Sequence, residues 1–171
     1  MAGTSATGRE NPVTKNTSIT AQRRDDALLE RYAPRGNECA YANLKLLTRV
    51  VTTLYDEALR PVDLCAGQLA LMWAILATEP VEIGRLGVTT LTDQTTLSRT
   101  VAKLKKARLV SVKPGRDRRV KIVALTPTGR QRFRDAMPLW EEAQKNAGTL
   151  LPLSEVRALA RQVRKASRAA A

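Results

Sequence analysis

The chain has 171 residues, a formal charge of +13 and a sequence pI near 10.6. Hydrophobic residues make up 43% of it, which is enough for a packed core and excludes a chain that is disordered throughout. The longest apolar run, Leu69–Ala77, is too short to span a bilayer. A polycation of this kind favours polyanionic partners, nucleic acid first and an anionic membrane surface second.

Two residue types that carry much of protein chemistry are scarce. The chain has no histidine, so the commonest general base and metal ligand is missing. The two cysteines, Cys39 and Cys65, and the scattered carboxylates form no recognisable zinc set. We therefore expect no enzyme, no metal and no cofactor; an enzymatic function would depend on Cys39 alone. The first residues do not resemble a secretory signal, so we expect reduced thiols in a cytoplasmic, nucleoid-associated protein.

The first third of the chain is predicted to be a tail followed by helices. Residues 1–20 are rich in Thr, Ser, Asn and Gly, which predicts a disordered tail. Residues 21–62 are predicted to form N-terminal dimerisation helices: a short helix, the interruption PRGN, and a long helix that Asn37 caps and Pro61 ends. The apolar stripe of the long helix is nearly heptad-like and longer than a small core requires. It consists of Leu44, Leu47, Val51, Leu54 and Ala58.

The middle of the chain, residues 63–126, is predicted to form a winged helix-turn-helix core. A helix from about Ala66 to Thr78 is apolar on almost every side and should be buried. Two short helical segments follow, VEIGRLGVTT and DQTTLSRTVAKLKKA, with a short turn between them. Two apolar runs around the turn PGRDRR then predict a β-hairpin. The predicted fold class is mainly α with a small β-hairpin wing.

Residues 127–171 are predicted to form C-terminal helices that complete a dimer interface. A long helix begins near Pro127, which the first turn of a helix tolerates. Phe133, Met137 and Trp140 lie on one of its faces. A last helix has one apolar and one arginine-rich side. Because the small middle domain cannot cover these apolar stripes, we expect the same helices of a second subunit to do so in a two-fold homodimer.

The second helix of the helix-turn-helix separates into two faces when its residues are placed at steps of about 100°. Leu97, Val101 and Leu104 face the core, and Asp93 or Thr92 can supply the N-cap. The opposite face begins with short polar residues and ends with cations, which suits the DNA major groove. A solvated helix face has the same composition and, taken alone, would be the preferred interpretation. The predicted DNA contacts on this helix are Gln94, Thr95, Thr96, Ser98, Arg99, Lys103 and Lys106.

The hairpin adds a second group of cations, and helix and hairpin together favour DNA binding over a solvated face. The segment Arg99–Lys121 holds ten basic residues and one acid, whereas a merely soluble surface intersperses both signs. Arg116, Arg118 and Arg119 are predicted to contact DNA, with Arg116 or Arg118 directed to the narrow, electronegative minor groove. We predict that Asp117 pairs with a neighbouring arginine and fixes its direction. A surface ion pair of little energetic weight is an equally open alternative for Asp117.

Several of these segments resemble the MarR family of bacterial transcription regulators. The similarity runs roughly over residues 37–146 and is carried by LYDEALRP, TTLSRTVAKL, LVSVKPGRDRRVKIVALTPTGR and PLWEEAQ. The wing signature of that family is Asp-x-Arg followed after five residues by Leu-Thr-x-x-Gly. It matches Asp117, Arg119, Leu125, Thr126 and Gly129.

The resemblance implies an intertwined homodimer that binds a pseudo-palindromic operator in double-stranded DNA. It implies in most cases a repressor, released by a small ligand or by oxidation. By similarity, Asp117 and Arg119 organise the wing, and the helix that begins near Asp93 enters the major groove.

The resemblance also raises the question of what signal the protein senses. Relatives that sense organic hydroperoxides carry a reactive cysteine early in the first long helix, many of them within Cys-x-Cys. Here Cys39 fits the first position and Tyr41 takes the second. Cys39 is a possible redox residue, and an ordinary buried thiol is the alternative. Tyr41, Trp73 and Trp140 are possible pocket residues for a small-molecule inducer, although tryptophan at helical spacing more often belongs to a core.

From the sequence we therefore expect a homodimeric, sequence-specific DNA-binding transcription regulator without a membrane partner. The alternative is an architectural protein that binds DNA with little sequence preference, through charge alone. Both would bind DNA with a strong salt dependence. They differ in the ratio of specific to non-specific affinity, which should reach at least about 10³ for a repressor.

Overall fold

A computed structural model describes residues 26–90 and 92–169 of the chain. It shows the predicted fold class, mainly helical with a small antiparallel sheet. Contacts divide the chain into two compact units, Met1–Arg49 and Val50–Ala171. The predicted tail at residues 1–20 lies outside the described part, and the three predicted domain boundaries stay predictions.

The first unit contains two helical segments and the start of a long helix. Helix α1 covers residues 26–32, and a 3-10 helix, Ala33–Glu38, follows at the predicted interruption. Helix α2, Ala40–Leu59, begins after Cys39, which has an extended backbone. The prediction that Asn37 caps the long helix is wrong, because Asn37 lies inside the 3-10 helix. Its carbonyl accepts a hydrogen bond from the side chain of Asn43 at 2.7 Å.

The second unit begins within α2 and contains the winged helix-turn-helix. A 3-10 turn, Arg60–Val62, ends α2 at Pro61, as predicted. The following helices are α3 (Ala66–Thr78), α4 (Ile83–Thr90), α5 (Gln94–Lys106), α6 (Pro127–Leu150) and α7 (Leu153–Ala169). The strands are β1 (Val81–Glu82), β2 (Val110–Pro114) and β3 (Lys121–Leu125).

The sheet is antiparallel with the order β1-β3-β2. In the β2–β3 hairpin, Val110 lies opposite Leu125 and Pro114 lies opposite Lys121. Strand β1 pairs Val81 with Val123 and lies on the other side of β3. The sequence did not predict β1, because a strand of two residues has no alternating pattern to detect.

The hydrophobic core of the second unit joins α3, α4, α5, α6 and the sheet. The largest fully buried side chains are Leu59, Met72, Ile75, Leu86, Leu97, Leu104 and Val123. Helix α3 buries one face through Leu69, Leu71, Met72 and Ile75. Its other face, which includes Trp73 and Leu76, is exposed, so the prediction of a buried helix holds for one face only. The core therefore fixes the backbone of α5 and of the hairpin, and their outer faces remain in solvent.

Candidate nucleic-acid interface

Helix α5 has the two faces that the angular placement predicts. Leu97, Val101 and Leu104 are buried in the core. All the side chains that were predicted to contact DNA from this helix are exposed, namely Gln94, Thr95, Thr96, Ser98, Arg99, Lys103 and Lys106. The three core side chains hold the helix in place, so the exposed face is presented by a rigid element.

The N-terminus of α5 is capped by Asp93 rather than by Thr92. Asp93 has an extended backbone, and its Oδ1 accepts a hydrogen bond from the backbone N–H of Thr96 at 2.9 Å. Hydrogen bonding by Thr96, through its side chain and its backbone N–H, lowers the pKa of the Asp93 carboxyl. The ionised cap also interacts favourably with the helix dipole.

The lowered pKa of Asp93 gives the start of α5 a dependence on acid. A folded-state pKa below the ordinary value of about 3.9 means that the cap stabilises the protein above that pH. The stabilisation is lost as the pH falls through the folded-state pKa. Asn is also a good N-cap but does not titrate here. We therefore expect the unfolding free energy of the wild type, measured by urea titration, to fall more steeply than that of Asp93→Asn between about pH 5 and pH 2. Parallel curves for the two proteins would contradict this assignment.

The turn of the wing is closed by hydrogen bonds from its own backbone N–H groups. The Oδ1 of Asp117 accepts the backbone N–H of Arg119 at 2.8 Å, and the carbonyl of Asp117 accepts the N–H of Val120 at 2.9 Å. The N–H of Gly115 donates to the carbonyl of Val120 at 2.8 Å. The predicted pairing of Asp117 with an arginine side chain is not found among the described residues, because the short carboxylate reaches the backbone two residues further on. Arg116, Arg118 and Arg119 are exposed.

A cleft with a volume of about 770 Å³ lies between α5 and the wing. The start of α4 contributes to it through Ile83 and Gly84. The cations that line it come from both sides and are Lys105, Lys113, Arg118, Arg119 and Lys121. The cleft and the exposed face of α5 together form a cationic surface, which we call the basic surface.

The basic surface includes more residues than the predicted set. Of the predicted DNA contacts, Gln94, Ser98, Arg118 and Arg119 line the cleft. Thr95, Thr96, Arg99, Lys103, Lys106 and Arg116 are exposed but do not line it. The prediction omitted Lys105, Lys113 and Lys121, although their charges belong to the same basic segment. The direction of each side chain decides which cations line the cleft. In a hairpin that direction depends on the strand register, which the sequence does not supply.

The base of the wing is tied to two helices by Glu79, which directly follows α3. Its carboxylate is only 11% exposed. One oxygen forms an ion pair with Arg130 in α6, and the other accepts the N–H of Leu125 in β3 at 2.6 Å. We call this arrangement the wing anchor. Sequence reasoning missed the wing anchor, because no local pattern connects two residues that are 46 positions apart.

The candidate sensor residues are found in different settings. Trp73 packs edge-on against Trp140 and Phe133, with centroid distances of 5.2 and 5.5 Å. Trp140 packs against the core, whereas Trp73 is 42% exposed. Tyr41 and Cys39, in the first unit, are both exposed. The thiol of Cys39 is therefore open to solvent in the single chain, and its redox role stays a prediction.

The part of the chain that the structure describes offers neither a group of side chains for a metal ion nor a single membrane-spanning helix. No group of three or more Cys, Asp or Glu side chains there could hold a metal ion. No single helix there is long and apolar enough to cross a membrane; the bent pair Ala40–Val62 and Ala66–Thr78 passes that test by length and composition only.

Known proteins were compared at the levels of sequence and structure. No family model and no curated protein matches the chain. Among solved structures, the M. tuberculosis transcriptional regulator MosR in complex with DNA matches with a TM-score of 0.68 and 28% identity. The match covers 77% of this chain and 98% of MosR. AbsC, a MarR family transcriptional regulator from Streptomyces coelicolor, matches with a TM-score of 0.63 and 20% identity, over 77% of this chain and 94% of AbsC.

The chain has the fold of the MarR-family transcription regulators.

A third MarR-family structure, a mutant of E. coli MarR in complex with operator DNA, matches with a TM-score of 0.65 and 21% identity. This match covers 81% of the present chain and 97% of the E. coli protein. The resemblance of the sequence to the MarR family is thus confirmed by the three-dimensional structure. The MarR-family structures that the chain matches are transcription regulators and not enzymes.

Proposed function

We propose that this MarR-family protein is a homodimeric, sequence-specific DNA-binding regulator that represses transcription. The observation that carries the proposal is the basic surface: a rigid helix face rich in hydroxyls and cations, continuous with a cleft that five cations line. Double-stranded DNA is the partner because its two phosphate strands present dense negative charge on both sides of a groove that admits a helix.

Helix α5 is the reading element in this proposal. Its 13 residues span about 20 Å, and a helix about 10–12 Å in diameter fits a major groove about 12 Å wide. Thr95, Thr96 and Arg99 lie in its first half, where they can reach base edges. Ala102 is small and exposed, so the helix can approach the DNA closely at that point. The identity of these side chains then determines which operator is bound.

The wing provides the contacts to the minor groove and the backbone. Arg116 and Arg118 project from a turn whose main chain is already fixed, so little conformational freedom is lost when they bind. A narrow minor groove attracts arginine through its enhanced negative potential. Lys105 and Lys113, on opposite sides of the cleft, would then neutralise phosphates of the strand that passes between α5 and the wing.

The homodimer is supported by apolar side chains that the single chain leaves in water. In α1, Leu28 and Leu29 are exposed. In α7, the exposed side chains include Val156, Leu159 and Val163, and none of the described residues of that helix is buried. Full burial of a side chain of this size contributes about 1.5–3 kcal/mol, and these side chains are about half exposed, so a second copy that covers them gains about 1 kcal/mol from each. A two-fold dimer presents two α5 helices and therefore calls for a pseudo-palindromic operator.

Release from DNA would follow a chemical signal in the cytoplasm. The exposed thiol of Cys39 supports an oxidant as that signal. The half-covered pair Trp73 and Trp140 supports a flat apolar ligand as the alternative. No cofactor is required by either signal.

The proposal is tested by removal of one cation from the wing. We expect Arg119→Ala to weaken operator binding about 5- to 150-fold, which corresponds to about 1–3 kcal/mol, while the dimer stays intact. Arg134→Ala is the matched control, because Arg134 is exposed on α6 and, among the described residues, bonds only to Gln131 of the same helix. Fluorescence anisotropy measures affinity and sedimentation measures the dimer. Equal weakening by both variants, or dissociation of Arg119→Ala into monomers, would contradict the proposal.

A further inference from the structure

The cleft of the basic surface contains one side chain of the wrong sign for DNA. Among the described residues that line it, Glu82 is the only acid. Glu82 is exposed and belongs to β1, where its backbone lies opposite Ile122 of β3. It lines the same cleft as Lys105 and Lys113, to which the proposed function assigns phosphate contacts. The inference developed here rests on that proposed function.

The carboxylate of Glu82 does not stabilise the fold through any contact with the described residues. Its carboxylate forms no ion pair and accepts no hydrogen bond from any of them. Glu79, three residues earlier, differs in both respects, since it is largely buried and holds Leu125 and Arg130. A free carboxylate in a phosphate-binding cleft repels the phosphate, and at surface distances one such repulsion corresponds to a few-fold in affinity.

We propose that Glu82 limits the affinity of the cleft for any phosphate backbone, at the operator and elsewhere. Sequence-independent complexes rest almost entirely on charge, so this repulsion shortens their lifetime. Base contacts from α5 do not depend on it and can still stabilise the complex at the operator. A protein with a formal charge of +13 would otherwise bind bulk DNA strongly, and Glu82 reduces that background.

The test is the charge-neutral, nearly isosteric variant Glu82→Gln. It should bind the operator and a scrambled duplex about 3-fold more tightly than the wild type at low salt, with a gain that shrinks as salt rises. A gain in affinity cannot result from partial unfolding. The matched control is Glu141→Gln, which makes the same change in net charge at an exposed residue of α6 outside the cleft. Its affinity should stay within about 1.5-fold of the wild type, since that charge is screened by salt.

A second variant, Glu82→Lys, extends the test. If the new cation reaches one additional phosphate, the slope of log K against log salt should become steeper by about 0.9. Unchanged or weaker binding by Glu82→Gln would overturn the inference, because it would mean that the carboxylate orients a cation instead of repelling DNA. An equal gain in Glu141→Gln would also overturn it, as would a gain confined to the operator. A wild type that does not prefer its operator would instead refute the proposed function, so the two failures are distinguishable.

Discussion

We expect Gly129→Ala to lower the free energy of unfolding by about 3 kcal/mol. A Cβ at Gly129 would lie 1.9 Å from the carbonyl oxygen of Leu109. The clashing atom belongs to the backbone, so no side-chain rotation relieves the contact. The same carbonyl accepts the N–H of Thr126 at 3.0 Å, and a shift of Leu109 would also disturb that bond.

The measurement is urea unfolding of Gly129→Ala beside Gly67→Ala. Gly67 is a residue of α3, and a Cβ there meets no atom within 4 Å. Because alanine is the better helix former, Gly67→Ala should raise the unfolding free energy by about 0.5–1 kcal/mol. Similar midpoints for Gly129→Ala and the wild type would show that the helix start can move away from Leu109, contrary to our account.

The second large effect is expected at the wing anchor. Glu79→Ala should lower the unfolding free energy by about 2–3 kcal/mol, because the N–H of Leu125 loses its acceptor in a largely buried place. The lost ion pair adds little to this figure. The side chain of Arg130 is 44% exposed, and ion pairs open to solvent contribute at most about 1 kcal/mol.

Two companion variants separate the contributions at the wing anchor. Glu79→Gln keeps an oxygen that can accept from Leu125, so it should lose about half as much stability as Glu79→Ala. Arg130→Ala leaves the bond between Glu79 and Leu125 in place and should cost less than about 1 kcal/mol. The midpoints of urea unfolding rank the three variants by stability. If Arg130→Ala were the most harmful of them, the ion pair would be the dominant contact and our description of the wing anchor would be wrong.

The structure gives a physical reason for each residue of the wing signature, Asp117, Arg119, Leu125, Thr126 and Gly129. The first residue, Asp117, accepts the backbone N–H of Arg119 and closes the turn. Leu125 is held by Glu79, and Thr126 caps α6 by accepting the N–H of Gly129 at 2.9 Å. Gly129 must lack a side chain because it touches the backbone of Leu109. The signature therefore closes the turn of the hairpin and fixes its base to Glu79 and Leu109.

The predictable part of this fold is the part that local pattern determines. The bounds of α3 follow from a continuous apolar segment. The buried face of α5 follows from helical periodicity, because the period of 3.6 residues places Leu97, Val101 and Leu104 on one side. The hairpin follows from two apolar runs around a turn rich in Gly, Asp and Arg. In the candidate site, the exposed face of α5 was predictable for the same reason.

The rest depends on contacts between residues distant in sequence or on competition between local hydrogen bonds. Strand β1 exists only because β3 offers it an open edge, and the wing anchor depends on Glu79 meeting Leu125 in space. Asn37 has a good residue type for a cap, yet the preceding 3-10 helix includes it and moves the start of α2. The carboxylate of Asp117 could bind an arginine side chain or a nearby backbone N–H, and it accepts the backbone N–H of Arg119.

The central claim, that this basic protein reads a DNA sequence, is tested most directly by one comparison. Fluorescence anisotropy should be measured with the intergenic duplex upstream of its own gene and with a scrambled duplex of the same composition, over a salt series. We expect the native duplex to bind at least about 10³-fold more tightly, with a slope of log K against log salt near −7 for about eight neutralised phosphates. Equal binding to both duplexes, with the same slope, would contradict the claim and leave an architectural protein that coats DNA through charge.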